Sequence, residues 1–248
     1  MLDAGLDGKI ALVSGGARGI GRATAVKLAG AGCKVSIGYL ANRDAAEEAL
    51  ALIRAAGGTA IATPGDVATE DGCVALHAAT MQAFGRVDVL VNNAGKHDNG
   101  VFMLLKDSQF EQMHALHVMS VVRLSRLCAS GMIARKWGRI VNVSSVAAPF
   151  PGVGQSNYAA AKAAVEGLTR SMAVELAKRN VRVNCISPGL CETDMGREAD
   201  VASYLSRQLV TRLGQPEEIA AWIVMLASRW GDYVTGRVLD VDGGYRLC

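Results

Sequence analysis

The sequence predicts a doubly wound α/β fold, a single parallel β-sheet with helices on both faces, and three observations carry that reading. Short apolar runs of strand length alternate with longer helical patterns from one end of the chain to the other. Strands separated by helices must run parallel, and right-handed crossovers then cover both faces of the sheet. The composition agrees: 50% hydrophobic residues, only 5% aromatic and 28 glycines suit closely packed helices on a sheet better than a β-sandwich.

The strand-like runs fall at residues 10–13, 35–39, 60–63, 87–91, 140–143, 181–186 and 238–241. Between them the helices carry their own punctuation. Gly57-Gly58 closes a helix over 43–56, and Pro216 followed by Glu217-Glu218 opens one that runs to Ser228. Two longer helices are predicted near the middle, over 107–135 and 155–179. The stretch 189–210 has weaker periodicity and reads as a mobile lid. No Pro- or Ser-rich linker, internal repeat or low-complexity tract interrupts the series, so residues 1–248 are expected to form one domain of Rossmann type.

Charge and cysteine content exclude several classes. A net charge of +3 is too slight to indicate nucleic acid binding. Cys33, Cys73, Cys128, Cys185, Cys191 and Cys248 form no Cys-x-x-Cys pair and no zinc-like spacing with histidine, which predicts reduced thiols, a cytoplasmic location and no metal. The amino terminus lacks a secretory pattern, and no apolar run approaches the ~18 residues of a membrane span.

The first strand runs into Ser14-Gly15-Gly16-Ala17-Arg18-Gly19-Ile20-Gly21 and then a helix. Glycines there permit a tight turn and close approach, and a helix amino terminus offers N–H groups to a pyrophosphate, so the turn reads as a dinucleotide site. An NAD site usually places a carboxylate about twenty residues on, to hold the ribose 2′-hydroxyl. Here the tip of the second strand reads Gly38-Tyr39-Leu40-Ala41-Asn42-Arg43, without one. Arg18 and Arg43 are instead placed to take a 2′-phosphate, which favours NADP(H).

Tyr158 and Lys162 stand at i and i+4 in Asn157-Tyr158-Ala159-Ala160-Ala161-Lys162, and therefore share a helix face. A neighbouring ammonium favours phenolate and brings a phenol, ordinarily near ~10, toward a usable pKa. Ser145 follows the run 140–143 at the carboxyl tip of a strand, where its hydroxyl would hold the reacting oxygen. The trio reads as a proton-transfer site.

Over essentially its whole length the chain resembles the short-chain dehydrogenase/reductase family, and most closely its 3-oxoacyl-[acyl-carrier-protein] reductases. Ser14 takes the threonine place of the family's glycine-rich turn, and Asn92-Asn93-Ala94-Gly95, Pro188-Gly189 and Asp240-Val241-Asp242-Gly243-Gly244 match further motifs. The resemblance implies a cofactor site made of Ser14, Gly15, Arg18, Gly19, Ile20, Gly21, Asn42, Arg43, Asp66, Val67, Asn93, Ala94, Gly95, Tyr158, Lys162, Pro188, Gly189, Cys191 and Thr193. In it Asp66-Val67 would meet adenine and Thr193 the nicotinamide carboxamide. It also implies catalysis by Ser145, which orients a carbonyl, and Tyr158, which protonates it, with Lys162 lowering the tyrosine pKa and holding the ribose. Where relatives use an asparagine to hold a water that links the lysine to solvent, this chain has His117, which either preserves that path or breaks it. His114, one turn earlier, reads as a packed histidine rather than a metal ligand.

The expected activity is an NADPH-dependent ketoreductase acting on a 3-oxoacyl thioester, carried by acyl carrier protein or CoA, in fatty acid or polyketide biosynthesis. The alternatives are a carbonyl reductase or alcohol dehydrogenase for small ketones or sugars, and a non-catalytic nucleotide-binding regulatory or scaffold protein. An acidic carrier protein would seek basic residues at the mouth of the site, and Lys136 and Arg179, with Arg135 and Arg139 adjacent, take positions where such reductases dock it. Met103 and Pro149-Phe150-Pro151 are expected to line the substrate pocket, and the long middle helices to pair in a homo-oligomer, a dimer or tetramer.

Overall fold

A computed structural model describes residues 3–197 and 200–247. Its strands are β1 (Ile10–Val13), β2 (Lys34–Tyr39), β3 (Ala60–Pro64), β4 (Val89–Asn92), β5 (Gly138–Val143), β6 (Val181–Pro188) and β7 (Val238–Val241). They form one seven-stranded sheet in the order β3-β2-β1-β4-β5-β6-β7, with every pair parallel. The helices are α1 (Gly19–Gly30), α2 (Arg43–Ala55), α3 (Glu70–Phe84), α4 (Asp107–Met113), α5 (Ser120–Arg135), α6 (Ser156–Leu176), α7 (Asp194–Arg197), α8 (Val201–Leu205) and α9 (Pro216–Ala227). The doubly wound fold is as expected from sequence.

The central strands β1, β4 and β5 are buried along their whole length, as parallel strands covered on both faces must be. One apolar cluster packs β1, β2 and β4 against α1, α2 and α9, and a second packs the opposite face against α3 and α5. Strand order reverses between β1 and β4, and a crevice opens there at the carboxyl ends of the strands, where such sheets take ligands.

Boundaries moved where side chains took over backbone partners. Val87 was expected to begin a strand, but it precedes β4: its carbonyl accepts from Arg135, and the Ile10 N–H donates to the Asp88 carboxylate. The helical stretch 107–135 is continuous but not regular, since a π-helical turn spans His114–Met119 and the Ser120 hydroxyl bonds to the Leu116 carbonyl within it. Such turns insert one residue and re-aim a side chain, here His117, into the fold. This stretch is by itself long and apolar enough to cross a membrane, yet Leu124, Cys128 and Met132 lie in the cluster beneath the sheet.

The region 189–210, expected to be a mobile lid, holds α7, α8 and several ties to the rest of the fold; its residues 198 and 199 lie outside the described ones. Cys248 lies outside them too, while Cys33, Cys73, Cys128, Cys185 and Cys191 are free and buried. No group of three or more potential metal ligands occurs among the described residues.

Candidate active site

Two glycines show why the turn after β1 tolerates no side chain. Gly15 has φ +64°, and a Cβ there would stand 2.9 Å from the Ala94 Cα. At Gly21 a Cβ would stand 2.5 Å from the Asn93 side chain. The helix that follows is left open. Its N-cap is Arg18, which makes no side-chain cap, and its first turn has no acidic residue. By contrast Asn42 caps α2 and Thr69 caps α3, each through its side-chain oxygen. The exposed amino end of α1 therefore retains the N–H groups and positive end of the dipole that a pyrophosphate requires, so the residues present fit a dinucleotide.

Several residues expected to touch that cofactor are otherwise engaged. The Ser14 hydroxyl accepts from the Asn93 and Ala94 N–H groups and donates to the Val91 carbonyl, so its side chain braces two loops. Asn93 returns the brace through its amide, which donates to the Ser14 and Gly15 carbonyls. The Val67 side chain lies in the core beside Cys73 and Leu76, which leaves only Asp66, exposed, to offer a side chain. Asn42 uses its carbonyl oxygen on the Ala45 N–H, and Arg43, the first residue of α2, is exposed. The Cys191 thiol is buried, donates to the Gly189 carbonyl and is pushed up to about 12 by burial, so any contact with the cofactor would be made by its backbone. Thr193 lays its methyl group 3.1 Å from the Cβ position of Gly19, and its hydroxyl accepts from the Gly196 N–H. Arg18 meets Asp194 at 3.0 Å, a partner for which no local pattern gave a signal. Both side chains are exposed, so the pair is weak and exchangeable.

The catalytic candidates converge at the carboxyl ends of β4 and β5. Tyr158 and Lys162 are buried on one face of α6, with the Lys162 ammonium 5.6 Å from the Tyr158 ring centre and donating to the Val143 carbonyl. Ser145 hydrogen-bonds to the Tyr158 phenol and also accepts from the Ala147 N–H. The expectation that Lys162 depresses the Tyr158 pKa is not met here: burial raises it, and the Ser145 hydrogen bond is what opposes the rise. The phenol is thus held protonated, as a proton donor should be. Burial also brings Lys162 down to about 8.

His117 sits at the same place. Its ring lies edge-on to Tyr158 with centres 5.3 Å apart, and Nε2 is 2.7 Å from the Lys96 carbonyl. A carbonyl only accepts, so Nε2 carries the proton and Nδ1 presents a lone pair. That lone pair is buried without a partner. Burial first, then the Lys162 charge, brings the imidazole down to about 3, so it is neutral and able to accept a hydrogen bond, not to carry a proton. His114, expected to be packed, is instead exposed, because the turn of helix that buries His117 leaves it on the outer face. The loop after β4 is tied to α6, since Asn157 donates to the Asp98 carbonyl.

The basic residues expected around the mouth are elsewhere. Lys136 and Arg179 precede β5 and β6, at the end of the sheet opposite Ser145. Arg135 pairs with Asp88, and Arg139 is buried against Asp232 and Trp137. Within one chain, then, no carrier-docking rim forms at the mouth from these residues. Met103, on the loop that follows β4, is 83% exposed, and Phe150, on the loop that follows β5, lies under the Arg246 guanidinium.

With this geometry in place, comparison decides the family. The profile described as "Enoyl-(Acyl carrier protein) reductase" matches residues 15–246. The chain belongs to the short-chain dehydrogenase/reductase family. A 3-oxoacyl-[acyl-carrier-protein] reductase of Synechocystis is 40% identical, with 96% of this chain and 97% of that one covered. The Escherichia coli protein of that name is 39% identical, over 96% and 97%. Among solved structures, L-sorbose reductase from Gluconobacter frateurii, complexed with NADPH and L-sorbose, superposes with a TM-score of 0.93 at 32% identity, over 98% of each chain. A 7α-hydroxysteroid dehydrogenase complexed with NADH and 7-oxo glycochenodeoxycholic acid gives 0.92 at 35%, over 96% and 94%. This short-chain dehydrogenase/reductase is an oxidoreductase of CH–OH and C=O groups and binds a nicotinamide cofactor.

Proposed function

We propose that this protein is an NADP(H)-dependent ketoreductase of 3-oxoacyl thioesters in which Tyr158 is the general acid. The observation that carries the reading is a buried Tyr158 phenol beside the buried Lys162 ammonium, with Ser145 at the tip of the neighbouring strand, in the same crevice as the uncapped end of α1. The bound nicotinamide supplies the hydride. Ser145 holds the keto oxygen, Tyr158 passes its proton to that oxygen as negative charge develops there, and Lys162 keeps positive charge close by. His117, through the lone pair on Nδ1, holds a water on the path that restores the proton.

Arg43 supports the choice of NADP(H), because it stands exposed at the tip of β2 with no carboxylate before Asp44. Arg18 joins it by exchanging Asp194 for a 2′-phosphate. Self-association is part of the proposal, though on a different face from the middle helices. Among the described residues α5 exposes no large apolar side chain and α6 exposes Val174, whereas Trp222, Met225 and Trp230 border a groove of about 340 Å³ along the edge strand β7. A carrier protein docking at Lys136 and Arg179 would then deliver its thioester only across such an assembly. A cytoplasmic location accords with the free buried cysteines.

A second reading, reduction of small ketones or sugars, is favoured by the L-sorbose reductase likeness. NADPH oxidation measured against acetoacetyl-CoA, an acyl-carrier-protein thioester and a panel of simple ketones separates the two. Turnover of thioesters well above that of free ketones is expected. The reverse order moves the protein to the second reading, and no turnover of any leaves a non-catalytic nucleotide-binding protein.

A further inference from the structure

The turn that leaves β6 is held from several sides. The Gly189 N–H donates to the Val241 carbonyl, and the Leu190 carbonyl accepts from the Gly214 N–H. The Leu190 N–H has no backbone acceptor and donates instead to the phenol oxygen of Tyr204, 3.0 Å away, on α8. The same oxygen presses on the turn so closely that a Cβ at Gly189 would lie 2.6 Å from it and 2.8 Å from the Asp242 Cα. Gly189 is thus confined between α8 and the end of β7.

Tyr204 is itself held in place. Its ring stacks on Tyr245 with centres 4.3 Å apart and planes within 4°. Tyr245 is buried, and the Arg207 guanidinium lies 5.2 Å from its ring centre. The surrounding turn is rigid as well: the Val210 N–H donates to the Gly243 carbonyl, and Asp242 takes the Gly244 and Arg246 N–H groups. A chain of contacts therefore runs from the carboxyl-terminal turn, through an aromatic pair, to one amide of the loop that continues into Cys191 and Thr193.

We propose that Tyr204 is a positioning residue for the nicotinamide end of the cofactor, setting the Gly189–Leu190 turn through its hydroxyl while Tyr245 fixes its ring. The inference rests on the NADP(H) reading above. It assigns Tyr204 no contact with cofactor or substrate. Without the hydroxyl, the Leu190 N–H loses its acceptor and the turn loses the atom that confines Gly189, while Arg43, at the start of α2, stands at the distant adenine end.

The test compares two ligands by equilibrium titration. NADPH spans both ends of the site, and 2′-phospho-AMP occupies the adenine end alone. Tyr204→Phe keeps the stacked ring and removes the hydroxyl; it is expected to weaken NADPH about tenfold, or ~1.4 kcal/mol, and to leave 2′-phospho-AMP unchanged. Tyr245→Leu, which frees the ring, should show the same split. Should either variant fold poorly, the other carries the measurement, with thermal unfolding recorded for both. Unchanged NADPH affinity in Tyr204→Phe, or a loss that is equal for the two ligands, overturns the proposal. A parent protein that binds neither ligand overturns the NADP(H) reading instead, so the two failures are told apart.

Discussion

The two ends of the sheet treat buried polarity in opposite ways. At the amino end, Asp88 is buried and takes the Ile10 N–H, Arg86 at 2.8 Å and Arg135 at 3.6 Å. Close by, Arg139 is buried but paired with Asp232, and Trp137 lies between it and Lys9. At the carboxyl end, Lys162 has only a carbonyl for a partner, His117 Nδ1 has none, and α1 begins without a side-chain cap. The division is not absolute, since Arg139 Nε is also unpartnered. Even so, charge neutralised by charge stabilises one end, while unmet groups at the other are free to act on a ligand.

The largest expected effect lies at the carboxyl end. Tyr158→Phe keeps the ring and removes the acid, so turnover should fall roughly 10²-fold or more while NADPH binding survives. Near-normal ketone reduction would place the proton donor elsewhere. The amino end should respond in the other currency: Asp88→Ala leaves the Ile10 N–H without its acceptor and Arg86 and Arg135 without their carboxylate, and should cost about 2–3 kcal/mol of stability in urea unfolding. Turnover per folded molecule should not change. A large loss of turnover there would erase the distinction between the two ends.

Smaller effects sharpen it. Arg43→Ala should weaken NADPH about tenfold, as for one charged hydrogen bond, with NADH unaffected. Equal affinity of the parent for both cofactors contradicts the assignment. His117→Ala should slow turnover severalfold with cofactor affinity kept, and His117→Asn should restore it; superimposable pH–rate profiles would leave this histidine a packing residue.

His117 also has a signature in stability. Its pKa is about 3 in the fold against 6.5 when exposed, so the unfolded chain binds more protons between those values. Stability should therefore fall as pH drops from about 6.5 toward 3, and His117→Asn should flatten that slope. Lys162 works in the same sense at high pH. Depressed to about 8 from 10.5, it opposes folding below about 8, and that penalty is relieved as pH rises toward 10.5.

Much of this was legible in the sequence because it is local. Strand runs, the glycine-rich turn and the i, i+4 placement of Tyr158 and Lys162 depend on chain spacing, and spacing survives folding. What could not be read were partners distant along the chain. Nothing near Ser14 announces that its hydroxyl holds Asn93 and Ala94, and nothing near Arg18 points to Asp194. Lys136 and Arg179 are positive in any context, but their place at the far end of the sheet follows from strand direction.

By itself the sequence determined the parallel doubly wound sheet, the glycine-rich turn after its first strand and the residues of the proton-transfer trio, because periodicity and short spacings dictate which face a side chain takes. Only the tertiary structure decided how those residues are charged and held. Burial keeps the Tyr158 phenol protonated against the pull expected of Lys162, a π-helical turn brings His117 to the Lys96 carbonyl, and Tyr204 reaches Leu190. Desolvation and long-range hydrogen bonds depend on everything packed around a group, and no local window of sequence contains that surrounding.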